Sequence, residues 1–377
     1  MNNKFEILIV GCGLSGAVMA EQFASQANKK VLVIDKRNHI GGNIYDFYDE
    51  ETGILMNQYG AHIFHTNNEM VWNYVRRFAE WRRYDHEVLA KVDDKYVNVP
   101  VNINTVNNVC EENIKNEEEM NEWLLENQVK YDEITNSEEM CKSRVGEICY
   151  EKIFKNYTYK QWNKFPEELD KSVLERIPVR NNFDNRYFTD KYQALPYYGY
   201  TDFVSKLLKH ENIEVKLLTD YFDFIKNNKL DDFETVIYTG PIDAFYKNEM
   251  LGPLEYRSID FQVEKYFNMN YYQQKAVINY PGLDTDYTRI VEYKHFLNQE
   301  SYHTVIVKEV TKDKGEPYYP VPNKRNLELF EEYKKLALRE NKIHFLGRLA
   351  NYKYFNMDEA ILNALEYFIN HFNKNKI

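Results

Sequence analysis

The sequence predicts an α/β fold in which a parallel-sheet domain is interrupted by an inserted helical subdomain and an antiparallel β-sheet domain. Three observations carry that expectation. Residues 5–10 form an apolar run ending at Gly11, a helical pattern follows through Ala17, Ala20, Phe23 and Ala24, and a second apolar run over 31–34 ends at Asp35. Uninterrupted apolar strands joined through a helix mark a βαβ unit whose sheet is buried on both faces. From about 111 to 155 the texture turns Glu-rich, with Met120, Trp123 and Leu124, then Cys141, Val145, Ile148 and Cys149, at helical spacing. Between about 256 and 310, runs such as RIVEYKHF and YHTVIVKEV alternate polar and apolar residues, as antiparallel strands with one wet face do.

The remaining elements return the chain to its first domain. Residues 235–240 read as a third sheet strand ending in a glycine turn, and IHFLG after Lys342 reads as another buried strand. Over 357–372 a last helix places Ala360, Ile361, Ala364, Leu365, Phe368 and Ile369 on one face, with Asn356 as N-cap and Glu359 three residues on. Thr135 with Glu138 has the spacing of a capping box. The expected division is a discontinuous dinucleotide-type domain of residues 1–80, 200–250 and 335–377. A helical subdomain spans 105–180, and an antiparallel sheet domain is built from 82–104, 183–199 and 255–325.

Composition narrows the function. A net charge of −11 argues against a nucleic-acid partner, which needs clustered positive surface, but leaves room for a small anion held by a few arginines. With 32 Tyr against 4 Trp, most tyrosines are packing residues, and some suit a cleft that stacks bases and hydrogen-bonds sugars. Cys12, Cys110, Cys141 and Cys149 form neither CxxC nor zinc spacing, so no metal site and no disulfide framework is expected. The N-terminus runs straight into a strand without a signal-peptide layout, and no apolar run approaches the roughly 20 residues of a membrane span. A cytoplasmic protein is expected.

Gly11, Gly13 and Gly16, with Leu14 and Ser15 between, match GxGxxG between a strand and a helix. Gly11 permits the tight turn, Gly13 lets the backbone approach a pyrophosphate, and Gly16 permits close helix–strand contact. Free N–H groups at the helix N-terminus suit phosphates, and Asp35 stands where a ribose hydroxyl needs an acceptor. Lys36, then Gly42 and Asn43, add a second glycine turn soon after that acid, which favours FAD over NAD in a Rossmann-like domain. Gly347 and Arg348, ahead of Met357, would bring backbone N–H groups to the flavin side. No second GxGxxG occurs. The protein therefore oxidises a substrate directly, takes electrons from an external reductant, or runs a reaction without net redox change.

The segment Gly60-Ala-His62-Ile-Phe-His65-Thr66 resembles the bacterial UDP-galactopyranose mutase family. The resemblance continues through YTYKQW, RIPVR, FDNRYF, IYTGPID, LEYRS, YTRI, EPYYPV and GRLANYKYFNM, in order, over nearly the whole chain. It implies an FAD-binding Rossmann-like domain with inserted helical and antiparallel-sheet domains in a homodimer. It also implies interconversion of UDP-galactopyranose and UDP-galactofuranose. In that chemistry N5 of reduced FAD attacks the anomeric carbon, UDP leaves, a flavin–sugar iminium forms, and the ring recloses with no net redox change. The product would feed cell-surface polysaccharide.

Carried over by motif, Arg176 and Arg289 would hold the diphosphate, with Arg176 in a mobile lid around 170–182. Phe154, Tyr157 and Trp162 would line the uridine cleft. Tyr187, Tyr319 and Tyr354 would reach the phosphates, with Arg180 and Asn279 as further substrate contacts. His62 and His65 would sit at the flavin and the reacting sugar, His62 also touching the cofactor. The chain departs from the family at Cys12, where a smaller residue is common, and at Asp35, where Glu is common; the stretch 105–135 matches poorly. Three other readings stay open: an FAD-dependent oxidase or dehydrogenase, a flavin- or nucleotide-binding protein without catalysis, and a mutase for UDP-N-acetylgalactopyranose.

Overall fold

The computed structural model describes residues 5–372. The run ILIV becomes β1 (Ile7–Val10), the glycine turn opens α1 (Leu14–Gln26), and VLVI becomes β2 (Val31–Ile34). Both strands are buried along their whole length. They pair in parallel with Ile7 opposite Val31, and the five-stranded sheet runs Ile213–Lys216, β2, β1, Thr235–Tyr238, Ile343–Phe345. One face packs Ala17, Val18, Ala20 and Phe23 of α1, which meet the C-terminal helix Met357–His371 through an edge-to-face contact of Phe23 with Phe368 at 5.3 Å. The other face packs Leu8, Val10, Leu32 and Ile34 against Tyr221, Phe233 and Tyr238. With both faces covered, the open side of the sheet is the edge where its strands end, and there the glycine turns gather.

The strand after Lys342 is only half-buried, not buried as its composition suggests, because it is an edge strand with Thr235–Tyr238 as its single neighbour. Ile369 also departs from expectation: the C-terminal helix buries Ile361, Ala364, Leu365 and Phe368 but leaves Ile369 in solvent.

A seven-stranded sheet follows the order Tyr319–Pro320, Tyr256–Tyr266, Thr304–Lys312, Arg289–Glu292, Val277–Asn279, Val88–Val92, Lys95–Asn98. Its pairs are antiparallel except one, Val277–Asn279 beside Val88–Val92, which is parallel. The strand within 183–199, Tyr192–Pro196, does not join this sheet as expected. It pairs with Phe64–Thr66 and Trp81–Arg83 instead, with Gln193 opposite His65, and so joins the first domain.

The Glu-rich region folds into helices Ile103–Val109, Glu117–Asn127 and Ser137–Cys149, a π-helix Tyr150–Lys155, and a helix Asn156–Trp162. Met120 and Trp123 face the core, whereas Ile148 is exposed. The break lies at Gly146 (φ 76°), where a Cβ would stand 2.8 Å from the Asn127 carbonyl oxygen. The expected Thr135–Glu138 box is one residue out of step. Asn136 is the cap, accepting from the Glu139 N–H, and the Glu139 carboxylate reaches back to the N–H and hydroxyl of Thr135. Among the described residues no helix is long and apolar enough to cross a membrane.

Candidate functional site

The strand ends of the parallel sheet open on a cleft of about 380 Å³. Gly11, Gly13, Leu14, Ser15, Gly16, Asp35, Lys36, Gly42, Asn43, His62, Gly347, Arg348 and Met357 all line it. The two glycine turns meet there: a Cβ on Gly42 would stand 2.8 Å from the Gly13 Cα, so position 42 has no room for a side chain. α1 begins at Leu14, a lining residue, and among the described residues no side chain caps its first N–H groups. A narrow trough walled by glycine backbone, with free amide donors at one end, fits a dinucleotide pyrophosphate.

Asp35 does more than its expected acceptor role. Its Oδ2 accepts from the Cys12 N–H at 2.7 Å and its Oδ1 from the Arg37 N–H at 2.8 Å, so it staples the glycine turn to the end of β2. Each oxygen retains a second lone pair for a hydroxyl. Lys36 sits at the rim, paired with Glu316 at 2.9 Å, and Asn43 accepts from Arg37 at 3.1 Å. Arg348 donates to the Phe355 carbonyl at 2.5 Å while its guanidinium lies 4.8 Å from the Tyr354 ring centre.

A second cleft, of about 890 Å³, lies between the helical region and the seven-stranded sheet. His65, Phe154, Tyr157, Trp162, Arg176, Tyr187, Asn279, Arg289 and Tyr354 line it. Its volume suits a nucleotide sugar. Arg289 anchors one side: its Nε donates to the buried Glu309 carboxylate at 2.7 Å. Burial works against the charge, but Glu309 holds the guanidinium well above its ordinary value, so it stays a cation. Burial also pushes the phenols of Tyr157 and Tyr187 up, keeping them neutral donors.

Arg176, the residue that ends the short helix Ser172–Glu175, is a further lining cation. Its guanidinium stacks 4.1 Å over Tyr354 and donates to Asn356 Oδ1 at 2.8 Å. Asn356 lines both clefts, so this bond lies on the boundary between them.

Two expected substrate contacts lie elsewhere. Arg180 is not on the cleft wall; it donates to Asp184 and to the carbonyls of Arg186 and Phe188, bracing that loop. Tyr319 sits behind the lining, stacked on Tyr354 at 5.1 Å, and supports the ring that Arg176 covers.

The two histidines are separated. His62 is on the smaller cleft, with Nδ1 2.8 Å from the Gly60 carbonyl oxygen. Burial, then the Arg348 charge, pushes its pKa down to about 4, so the ring is neutral at ordinary pH. A carbonyl can only accept; Nδ1 thus carries the proton and Nε2 presents a lone pair. His65 is on the larger cleft, held by Asp190 at 3.0 Å and stacked on Phe188 at 3.7 Å.

A third histidine, His86, is buried among Tyr84, Tyr187, Phe188 and Phe296, and burial followed by the Arg289 charge takes its pKa down to about 3. Both shifts lie below the unfolded value of about 6.5. As pH falls below that value, the unfolded chain takes up protons that the folded chain refuses. The stabilisation is complete above about pH 6.5 and is lost toward the folded values. We expect the urea midpoint to fall between pH 7 and pH 4.5 and His86→Phe to flatten that fall; an unchanged slope in the variant contradicts it.

Several lining residues carry no motif. Residues 219–222 follow the strand Ile213–Lys216, whose alternately half-exposed side chains hide its place at the sheet edge. Glu309 acts one step removed, by holding Arg289, and Asp190 holds His65 from the wall of the larger cleft itself.

Comparison with known proteins decides the family. The sequence model for UDP-galactopyranose mutase matches residues 152–354, which hold most of the larger cleft, and the one for NAD(P)-binding Rossmann-like domains matches residues 9–78. A probable UDP-galactopyranose mutase of Klebsiella pneumoniae is 41% identical, over 97% of this chain and 94% of its own. The chain belongs to the UDP-galactopyranose mutase family. Within reach of that family lies also a dTDP-fucopyranose mutase of Escherichia coli, 38% identical over 96% of this chain and 97% of its own. The crystal structure of a reduced UDP-galactopyranose mutase superposes with a TM-score of 0.78 at 15% identity, covering 97% of this chain and 93% of that one, and so shares the mutase fold.

Proposed function

We propose that the chain interconverts UDP-galactopyranose and UDP-galactofuranose, with FAD in the smaller cleft and the nucleotide sugar in the larger. One observation carries this reading: Asn356 walls both clefts, and Arg176 bonds to it from the larger one. Whatever fills the two clefts meets at that boundary. When bound and reduced, the flavin supplies an electron-rich nitrogen, N5, as the nucleophile toward the anomeric carbon.

The chain's own residues bind, orient and compensate charge. Arg289 and Arg176 flank the larger cleft and together offset the charge gathering on the departing diphosphate. Tyr157 and Tyr187 donate neutral phenol protons to phosphate or sugar oxygens, and Phe154 and Trp162 offer faces for a base. His62 Nε2, with its lone pair on the cofactor side, accepts from a flavin or sugar hydroxyl. His65, Asn279 and Tyr354 complete the sugar surround. Residues 170–182 act as the lid, since Arg176 reaches the boundary from them.

In the same reading residues 1–80, 200–250 and 335–377 form the FAD domain, joined by the strand Tyr192–Pro196, 105–180 form the helical subdomain, and 82–104 and 255–325 the sheet domain. The enzyme works in the cytoplasm as a homodimer, is kept reduced by an external donor, and supplies a furanose for surface polysaccharide.

The test is anaerobic. Dithionite-reduced protein is mixed with UDP-galactofuranose, and in parallel with dTDP-fucofuranose and UDP-N-acetylgalactofuranose, and products are separated by chromatography. Conversion of UDP-galactofuranose by the reduced form alone supports the proposal. Equal conversion by the oxidised form removes the role of reduced flavin, and preference for either other sugar reassigns the substrate.

A further inference from the structure

The helical region carries a thiol pair that the proposed chemistry does not use. Cys110 caps the C-terminal end of the helix Ile103–Val109, and Cys149 ends the helix Ser137–Cys149. Their Sγ atoms lie 3.8 Å apart although the residues are 39 positions apart in the chain. A disulfide needs about 2.0 Å between sulfurs, so closure asks for under about 2 Å of combined movement. Cys149 has no solvent exposure, whereas Cys110 is half-buried and reachable. We propose that Cys110 and Cys149 are an oxidisable pair, Cys110 the sulfur that meets a hydroperoxide and Cys149 the sulfur that resolves it as a disulfide.

The environment assigns those roles. The Cys149 S–H, first, and the Lys152 charge favour thiolate at Cys110, against burial and Glu112. Cys149 is held as the thiol by its bond to Cys110 and by burial. The other two cysteines are poor nucleophiles: burial, then Asp35, pushes Cys12 up to about 12, and burial pushes Cys141 up as well. In the first step the Cys110 thiolate attacks a peroxide oxygen, an S–O bond forms, the O–O bond breaks, and the alkoxide leaves as the alcohol after taking a proton from water. In the second step the Cys149 sulfur attacks the sulfenic sulfur, the S–S bond forms, and hydroxide leaves as water with the Cys149 proton. Two thiols lose two electrons to one hydroperoxide, giving a disulfide, an alcohol and water.

The link reaches the larger cleft. Cys149 passes directly into the π-helix Tyr150–Lys155, whose Ile153 and Phe154 line the cleft wall, with Tyr157 one turn further on. A disulfide ties the root of that wall to the end of a second helix.

The experiment uses the oxidised-flavin holoenzyme, so that the peroxide does not consume reduced flavin. Near-stoichiometric tert-butyl hydroperoxide should lower the titratable thiols from four to two and give a single linked peptide pair, Cys110 with Cys149. Cys149→Ser should stop at a dimedone-reactive Cys110, Cys110→Ser should give neither product, and Cys141→Ser should behave as the parent. A pairing that includes Cys141, dimedone labelling elsewhere, or four surviving thiols in the unmodified chain overturns the proposal; that last measurement needs no variant to fold. A second arm rests on the larger cleft taking a UDP-sugar, and the first does not. The disulfide form should bind UDP at least about fivefold more weakly in calorimetry, at the low end of typical site coupling, with dithiothreitol restoring affinity. An unchanged Kd in the fully cross-linked protein overturns the link to the cleft.

Discussion

Arg289→Ala should lower kcat/KM by about 10³-fold and destabilise the protein as well. The reason is the geometry of its single side-chain bond. Nε is committed to Glu309, a carboxylate only 2% exposed, and among the described residues neither terminal nitrogen has a protein partner. The terminal fork is therefore what the cleft offers a diphosphate. Truncation removes that fork and strands Glu309 as a buried charge. Removing one partner of a buried pair costs about 3–5 kcal/mol, and each 1.36 kcal/mol of lost transition-state stabilisation is about tenfold in rate. Lysine is not a rescue. It restores a cation but cannot bond Glu309 and present two coplanar donors at once. Arg289→Lys should recover most of the urea midpoint and little of the rate, and recovery of both would contradict this account of the fork.

Gly16→Ala should yield protein without a yellow chromophore and with a lowered melting temperature. The added Cβ would stand 2.0 Å from the Gly11 carbonyl oxygen and 3.2 Å from Ile9 Cγ2. The first of these is backbone of the turn itself, so α1 has to move off β1. Overpacking of this kind costs about 1–3 kcal/mol, and more where backbone has to shift. Gly13→Ala separates the two effects. Its φ of −81° suits any residue, and its Cβ would meet only the Gly42 Cα, at 3.7 Å. That variant should keep the parent's stability in urea yet bind flavin about a hundredfold more weakly, because a methyl group enters the pyrophosphate trough; such a loss corresponds to nearly 3 kcal/mol. Flavin retention by both variants, read from the visible spectrum after gel filtration, would contradict the trough.

Much of this was legible in residues alone, where a physical rule ties type to place. β1 and β2 are uninterrupted apolar runs, and Thr235–Tyr238 is apolar after its first residue and buried throughout, because a parallel sheet covered on both faces leaves them no wet side. The glycine turns were legible because Gly11 and Gly42 hold positive φ and a Cβ on Gly16 would run into the turn's own backbone. What escaped was set by partners distant in sequence. The strand Ile213–Lys216 reads as polar because it is an edge, and Ile343–Phe345 is half-buried for the same reason. Tyr192–Pro196 has no local signal for which sheet it joins. Arg180 and Arg176 look alike in RIPVR, yet one braces its own loop and the other spans to Asn356. The buried counter-charge of Glu309 and the thiol contact of Cys110 with Cys149 exist only once distant segments meet.

The proposal stands on one site extending across two clefts that share Asn356 as a wall, with flavin on one side and hexose on the other. Its most direct test is a chemical trap. Reduced protein is incubated anaerobically with UDP-galactose radiolabelled in the sugar, cyanoborohydride is added, and the flavin is recovered after denaturation. The account predicts labelled hexose bound to the recovered flavin, with UDP released in equal amount. Continued turnover, with the recovered flavin free of label, would contradict it.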